Sequence, residues 1–294
     1  MVSVRRVNRV TRLDIGQVRR LIDVCMQQDL DLAKALNSAQ KAAQAGREVL
    51  MHYFGQLKNV KEKFQAGLVS EADVESERAI ARVLKADFPD IPFLGEEGAF
   101  ERGDQSVPSS SWVVDPLDGT TNYVHGFHFF CVSIGLQWKN EMVLGVVDVP
   151  ILNKTYWAAK GQGAFANGQR LRVSERTAIK DSLLATGFFN DNPDALREQL
   201  KIFSELVFEA QGIRRPGAAA YDLCLVAEGV FDAYWEPNLK PWDAAAGTVL
   251  VREAGGVVLS YRDGDYKLGD KTLLSGNAEI CRALRDRIIK ICDQ

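Results

Sequence analysis

The chain has 294 residues, 46% of them hydrophobic and 26% charged, with a formal net charge of −3. That balance is globular and gives enough chain for a large core in one or two domains, with no global positive charge to suit nucleic acid. No apolar run reaches the roughly 18 residues of a membrane span, so no membrane partner is expected.

The first twenty residues carry six arginines (Arg5, Arg6, Arg9, Arg12, Arg19, Arg20) against Asp14 alone. We read them as a solvated or helical extension in preference to a targeting presequence or a phosphate-binding arm. From about residue 17 to 55, Ala33, Leu36, Ala39, Ala43, Val49 and Leu50 recur at helical spacing until Gly55. Lys58 to Val69 is polar and predicts a loop or hairpin. Ser70 caps a second predicted helix running to Asp87, with Ile80, Val83 and Leu84 on its apolar face.

Ile91 to Leu94 predicts a short strand that runs into GEEGAF, followed by a mobile polar loop over 101–111. Strand signals follow at 112–114, 129–138, 143–149, 154–159 and 171–173, with Gly161, Gly163 and Gly168 marking a hairpin. The second half alternates: strand 183–186, helix 193–211, helix 218–228, strand 230–235, helix 242–253, strand 257–261 and a closing helix 278–292. Alternation of this kind predicts a layered α/β sandwich, with a seam near 165–182.

The five cysteines, Cys25, Cys131, Cys224, Cys281 and Cys292, form no CxxC pair and are expected to be reduced and mostly buried, as in a cytoplasmic protein. Three scattered histidines exclude a His-based metal site. His125 and His128 read as packing or loop residues, and the aromatic run 126–130 as core.

Four carboxylate signals remain: Asp73, Glu96 with Glu97, Asp115 with Asp118, and Asp243. In Asp115-Pro-Leu-Asp-Gly119, proline fixes one φ and glycine frees another, giving a rigid turn with two carboxylates and the Leu117 carbonyl near one point. Such oxygen donors suit a hard cation such as Mg²⁺, while an Asp-rich turn capping the next helix is the competing reading. GEE alone is equally an exposed acidic turn, and Asp243 alone a helix cap. Together, strand and helix ends at three places supply acids for a two-metal cluster.

GEE at 95–97, DPLDGTTN at 115–122 and PWDAAAG at 241–247 resemble the signature motifs of the inositol monophosphatase family, whose members are Mg²⁺-dependent, lithium-sensitive phosphatases of small molecules. The likeness extends through LVSEAD (68–73) and the segments beginning VVDVPILNK and RRPGAAAYDL, and covers about residues 35–290. It implies an αβαβα sandwich of the inositol monophosphatase and fructose-1,6-bisphosphatase type. Residues 1–32 form a basic extension outside a single such domain (33–294), with an N-terminal α+β part over 33–170 and a C-terminal α/β part over 171–294.

The resemblance also implies roles. Glu96, Asp115 and the Leu117 carbonyl would hold one Mg²⁺, and Asp115, Asp118 and Asp243 a second, with a third weaker site near Glu96. Thr120 and Asp73 would orient and deprotonate the attacking water. Lys63 would stand where a loop lysine meets substrate, one residue out of the usual spacing. Glu236 would hydrogen-bond substrate hydroxyls, and Asp118, Gly119, Thr120, Gly217, Ala219 and Asp243 would line the substrate pocket. Ala218 departs from the family's Ser or Thr, which leaves the substrate open: inositol monophosphate or a similar polyol phosphate, or else histidinol phosphate, fructose 1,6-bisphosphate or a 3′-phosphoadenosine nucleotide. A homodimer is expected, and a regulatory binding role of the same fold is the alternative of a different kind.

Overall fold

The structure is a computed structural model that describes residues 30–63, 67–102, 106–188 and 192–293, with backbone alone at 62–63, 67 and 100–102. The arginine-rich segment and about the first third of the predicted opening helix lie outside the described residues.

Helix α1 (Leu32–Tyr53) starts at Asp31, whose side chain accepts from Lys34 N at 2.9 Å. Strands β1 (Val60–Lys63) and β2 (Gly67–Ser70) pair as the expected hairpin. Ser70 then caps α2 (Glu71–Asp87) in a capping box with Asp73. The GEE segment is no turn: β3 (Phe93–Gly95) runs straight into α3 (Glu96–Arg102).

Strands β3, β4 (Ser111–Asp118), β5 (Cys131–Trp138), β6 (Glu141–Val149), β7 (Lys154–Ala159), β8 (Gly163–Ala166) and β9 (Gln169–Arg170) form a seven-stranded sheet in that order. The short helix α4 (Thr120–Val124) leaves the end of β4. The expected strand at 171–173 is absent; Leu171 N and Val173 N donate instead to Ala164 O and Ala254 O, outside any ladder.

The second sheet has six strands in the order β11-β10-β12-β15-β13-β14. They are β10 (Leu183–Thr186), β11 (Gly212–Arg214), β12 (Ala233–Pro237), β13 (Val257–Ser260), β14 (Gly264–Asp265) and β15 (Thr272–Gly276). Its helices are α5 (Pro193–Glu209), α6 (Ala219–Ala227), α7 (Pro241–Glu253) and α8 (Ala278–Cys292).

Five layers result. Helices α1 and α2 cover one face of the seven-stranded sheet, α6 and α7 fill the space between the sheets, and α5 and α8 cover the far face. The middle layer shares one core with both sheets, drawing Val147 and Tyr156 from one and Tyr234 and Leu273 from the other. This is the αβαβα sandwich expected from the sequence.

Close approach explains the small residues of PWDAAAG. A Cβ on Gly145 would lie 2.3 Å from the Ala246 carbonyl, and one on Gly135 2.7 Å from Ala245 Cβ. Gly247 is equally tight against Leu223. Helix α7 therefore lies directly on β5 and β6, and its first turn carries Asp243 to the end of β4. The thiols of Cys131, Cys224 and Cys281 are free and buried, as expected. The aromatic run packs toward its end: Phe130 is buried and the Phe129 ring meets Tyr221 at 4.4 Å, while residues 125–128 are exposed, with the His128 ring beside Phe54 at 5.5 Å.

Candidate active site

Strand β4 does not end at Val114 as its apolar run suggests; it continues to Asp118. Asp115 pairs with Ser133 and Asp118 with Cys131, so three steps on β4 match two on β5. This is a one-residue bulge, placed where Pro116 has no N–H to give the ladder. Its consequence is geometric. Residues three apart on a regular strand point to opposite faces, and the extra residue returns Asp115 and Asp118 to the same face. Gly119 then turns the chain at φ 89°, where a Cβ would lie 2.9 Å from the Phe129 carbonyl.

Glu96, Asp115, Leu117, Asp118, Gly119, Thr120, Gly217 and Asp243 line one cavity of about 650 Å³. Backbone donors orient the three aspartates: Leu117 N reaches Asp115 Oδ1 at 3.0 Å, Ala220 N reaches Asp118 Oδ2 at 2.7 Å, and Lys240 N reaches Asp243 Oδ2 at 2.8 Å. Glu96 begins α3, whose first N–H groups are held from outside: Glu97 N and Gly98 N donate to the Glu77 carboxylate at 2.8 and 3.0 Å.

Burial and repulsion from neighbouring carboxylates raise the three aspartates Asp115, Asp118 and Asp243 together. Asp115 is pushed well above the usual carboxylate range by burial and by Glu96, Asp118 and Asp243. Burial and the charges of Asp118 and Glu96 do the same to Asp243. Asp118 rises to about 6, through burial first, with Glu96 adding to it and the Ala220 N–H opposing it.

Behind this wall, Asp73 is fully buried. Its Oδ2 accepts from Ser70 N at 2.7 Å and Ser70 Oγ at 2.6 Å, while its Oδ1 accepts the Thr120 hydroxyl at 2.9 Å. The same hydroxyl lies 3.1 Å from the Leu117 carbonyl. Glu236 and Ala219 stand outside the cavity lining. The Glu236 carboxylate sits against Gly187, where a Cβ would come within 2.0 Å of it, and accepts the Tyr234 hydroxyl. Burial raises it to about 7 against the opposing pull of Tyr234 and Arg215. The Lys63 side chain lies outside the described residues.

Several contributors carry no obvious signal in the sequence. Arg215, Phe188, Leu196 and Leu200 also line the cavity, as do Leu68, Thr121 and Asn122. Asn122 Nδ2 donates to Phe129 O at 2.7 Å and Pro216 O at 2.9 Å, tying α4 to the turn at Gly217. An arginine beside Pro-Gly and an asparagine after Thr-Thr were visible, but only their partners in space give them a role.

Among the described residues, no three His, Cys, Asp or Glu side chains are gathered into a closed metal cage. The donor chemistry is nevertheless uniform: the cavity offers carboxylate oxygens and the Leu117 carbonyl, with no imidazole, so it fits a hard divalent cation. No described helix is long and apolar enough to cross a membrane.

The model of the inositol monophosphatase family matches residues 31–294. The fructose-1,6-bisphosphatase/inositol-1-monophosphatase of Aquifex aeolicus is 41% identical over 263 residues, 89% of this chain and 96% of that protein. Nus factor SuhB of Pseudomonas aeruginosa is 41% identical over 253 residues, 85% of this chain and 93% of its own. The crystal structure of extragenic suppressor protein suhB from Bartonella henselae superposes with a TM-score of 0.80 at 37% identity, covering 87% of this chain and 98% of that one. The chain belongs to the inositol monophosphatase family and is a phosphoric monoester hydrolase.

Proposed function

We propose that the protein hydrolyses inositol monophosphate or a similar small polyol phosphate, with Mg²⁺ held by Glu96, Asp115, Asp118, Asp243 and the Leu117 carbonyl. The observation that carries this reading is the convergence of four acids, from α3, β4 and α7, on one cavity beside the Thr120–Asp73 hydrogen bond. Bound cations of this class would neutralise a phosphate dianion and make water more acidic.

The chain's own groups supply the rest. Asp73, already accepting two hydrogen bonds from Ser70, holds Thr120 with its hydroxyl oxygen toward the cavity, where it orients the attacking water and passes its proton inward. Gly119, Gly217 and Asn122 keep the floor of the pocket close to the backbone. Glu236 acts from behind the lining on the hydroxyls of the alcohol. Two or three ions per site, lithium inhibition and a homodimer belong to the same reading.

A panel of inositol 1-phosphate, histidinol phosphate, fructose 1,6-bisphosphate and a 3′-phosphoadenosine nucleotide, each with and without Mg²⁺, tests it. Turnover of the inositol ester only with Mg²⁺ is expected; no turnover of that ester sinks the first choice of substrate. A second reading, a regulatory binding role, is favoured by the relative named Nus factor SuhB. Deleting residues 1–30 supports it if phosphatase activity persists while binding of a partner is lost.

A further inference from the structure

The cavity that holds the four carboxylates has a second wall of opposite chemistry, made by Phe188, Leu196 and Leu200. Leu196 and Leu200 lie one turn apart on α5. The face that α5 buries against the six-stranded sheet is a different one, Gln199, Ile202 and Leu206. At about 100° per residue, the two stripes are about a quarter-turn apart, so packing in the core does not account for the leucines. Leu200 keeps 47% of its surface exposed.

A solitary exposed leucine is ordinary. Two leucines and a phenylalanine facing the cavity that carries the acids are not. Phe188 is also held in place: its ring meets Phe203 edge-on at 5.5 Å, and its carbonyl accepts Arg215 Nη2 at 3.2 Å. Hydroxyl groups laid on these three side chains would lose water and gain no hydrogen bond, whereas a hydrocarbon face gains from burial there.

We propose that this wall selects phosphate monoesters whose alcohol carries an apolar ring face, laid against Phe188, Leu196 and Leu200 while the phosphate faces the carboxylates. The inference rests on the phosphatase reading and narrows the substrate class within it. Leu196 and Leu200 are then specificity residues of the reaction.

The test compares 1-naphthyl phosphate with glycerol 2-phosphate, which has no ring, for the wild-type protein with Mg²⁺ and a Leu196→Gln/Leu200→Gln variant. Glutamine keeps the helix propensity, and the ratio of kcat/KM between the two esters cancels their intrinsic reactivity. Val207→Gln is the control, on the same helix, 41% exposed and outside the cavity. Loss of two such contacts lowers the naphthyl-to-glycerol ratio about tenfold in the double variant, with no change in Val207→Gln. An unchanged ratio, an equal change in the control, or a wild-type protein that cleaves glycerol 2-phosphate but not the naphthyl ester overturns the inference alone. Release of phosphate from neither ester, while inositol 1-phosphate is turned over with Mg²⁺, also overturns the inference alone; release from none of the three overturns the phosphatase reading beneath it as well.

Discussion

The hydroxyl of Thr120 donates to Asp73 Oδ1 at 2.9 Å, joining the end of β4 to the first turn of α2 across 47 residues of chain. The same Asp73 closes the capping box with Ser70. One carboxylate thus starts a helix and holds a hydroxyl at the edge of the acidic cavity. Thr120→Ala should lower kcat by on the order of 10²-fold and cost about 1 kcal/mol of stability, because the buried Asp73 Oδ1 loses a donor, and Thr120→Ser should restore most of both. Asp73→Asn should lose kcat similarly and also about 1 kcal/mol of stability, because it weakens the cap. Steady-state kinetics with thermal melts check both; wild-type kcat in Thr120→Ala removes the hydroxyl from the mechanism.

The acidic cluster makes stability depend on pH in a stated direction. Asp118 rises from 3.8 to about 6 in the fold, and Asp115 and Asp243 rise as well. The folded state therefore holds these protons more tightly than the unfolded chain. In chelator-treated protein, stability should be full near pH 4 and fall as the pH rises through 6. The Asp118 shift alone corresponds to about 3 kcal/mol. Saturating Mg²⁺ should offset most of that loss at pH 7. Denaturant melts at both pH values read the effect, and equal chelated stability at pH 4.5 and 7 would contradict it.

Glu77 holds the first turn of α3, from which Glu96 projects. A Cβ on Gly95 would lie 2.3 Å from its carboxylate. Glu77→Gln should therefore weaken Mg²⁺ by about tenfold or more without unfolding the chain, as loss of a group that orients a ligand does. Gly95→Ala should do the same by displacing Glu77. Titration of activity with Mg²⁺ measures the shift, and wild-type Mg²⁺ dependence in both variants refutes the positioning role.

Far from the cavity, Arg47 Nε meets Asp148 Oδ1 at 2.7 Å, and Thr155 Oγ1 donates to the other oxygen at 2.7 Å. Burial raises Asp148 in spite of both partners. Arg47→Met, which leaves that carboxylate buried and uncompensated, should cost about 3 kcal/mol, whereas Arg47→Met with Asp148→Asn should cost less. Chemical denaturation decides it; a double variant no more stable than Arg47→Met alone contradicts the account.

The helices were the legible part of the fold because their caps and periods are local. The Ser70 cap and the closing helix at 278–292 fall where the sequence puts them. Strand β15 was not legible: Thr272–Gly276 is a short buried run without alternation, and only pairing with β12 and β13 defines it. Leu171 and Val173 mislead for the converse reason, since they alternate but bond outside a ladder. In the site, the acids stood out because four costly charges sit at element ends. The bulge that aims Asp115 and Asp118 together, and the apolar wall on α5, depend on neighbours distant in sequence.

The most direct test is phosphate release from inositol 1-phosphate as a function of Mg²⁺, by the wild-type protein and by Asp115→Asn. Asp115 is buried between Glu96, Asp118 and Asp243, and its charge counts only if cations are held there. The account predicts Mg²⁺-dependent release by the wild type, a loss of about 10³-fold or more in Asp115→Asn, and a chelated Asp115→Asn protein at least as stable as the chelated wild type. Undiminished release by Asp115→Asn, or wild-type release that survives a chelator, contradicts it.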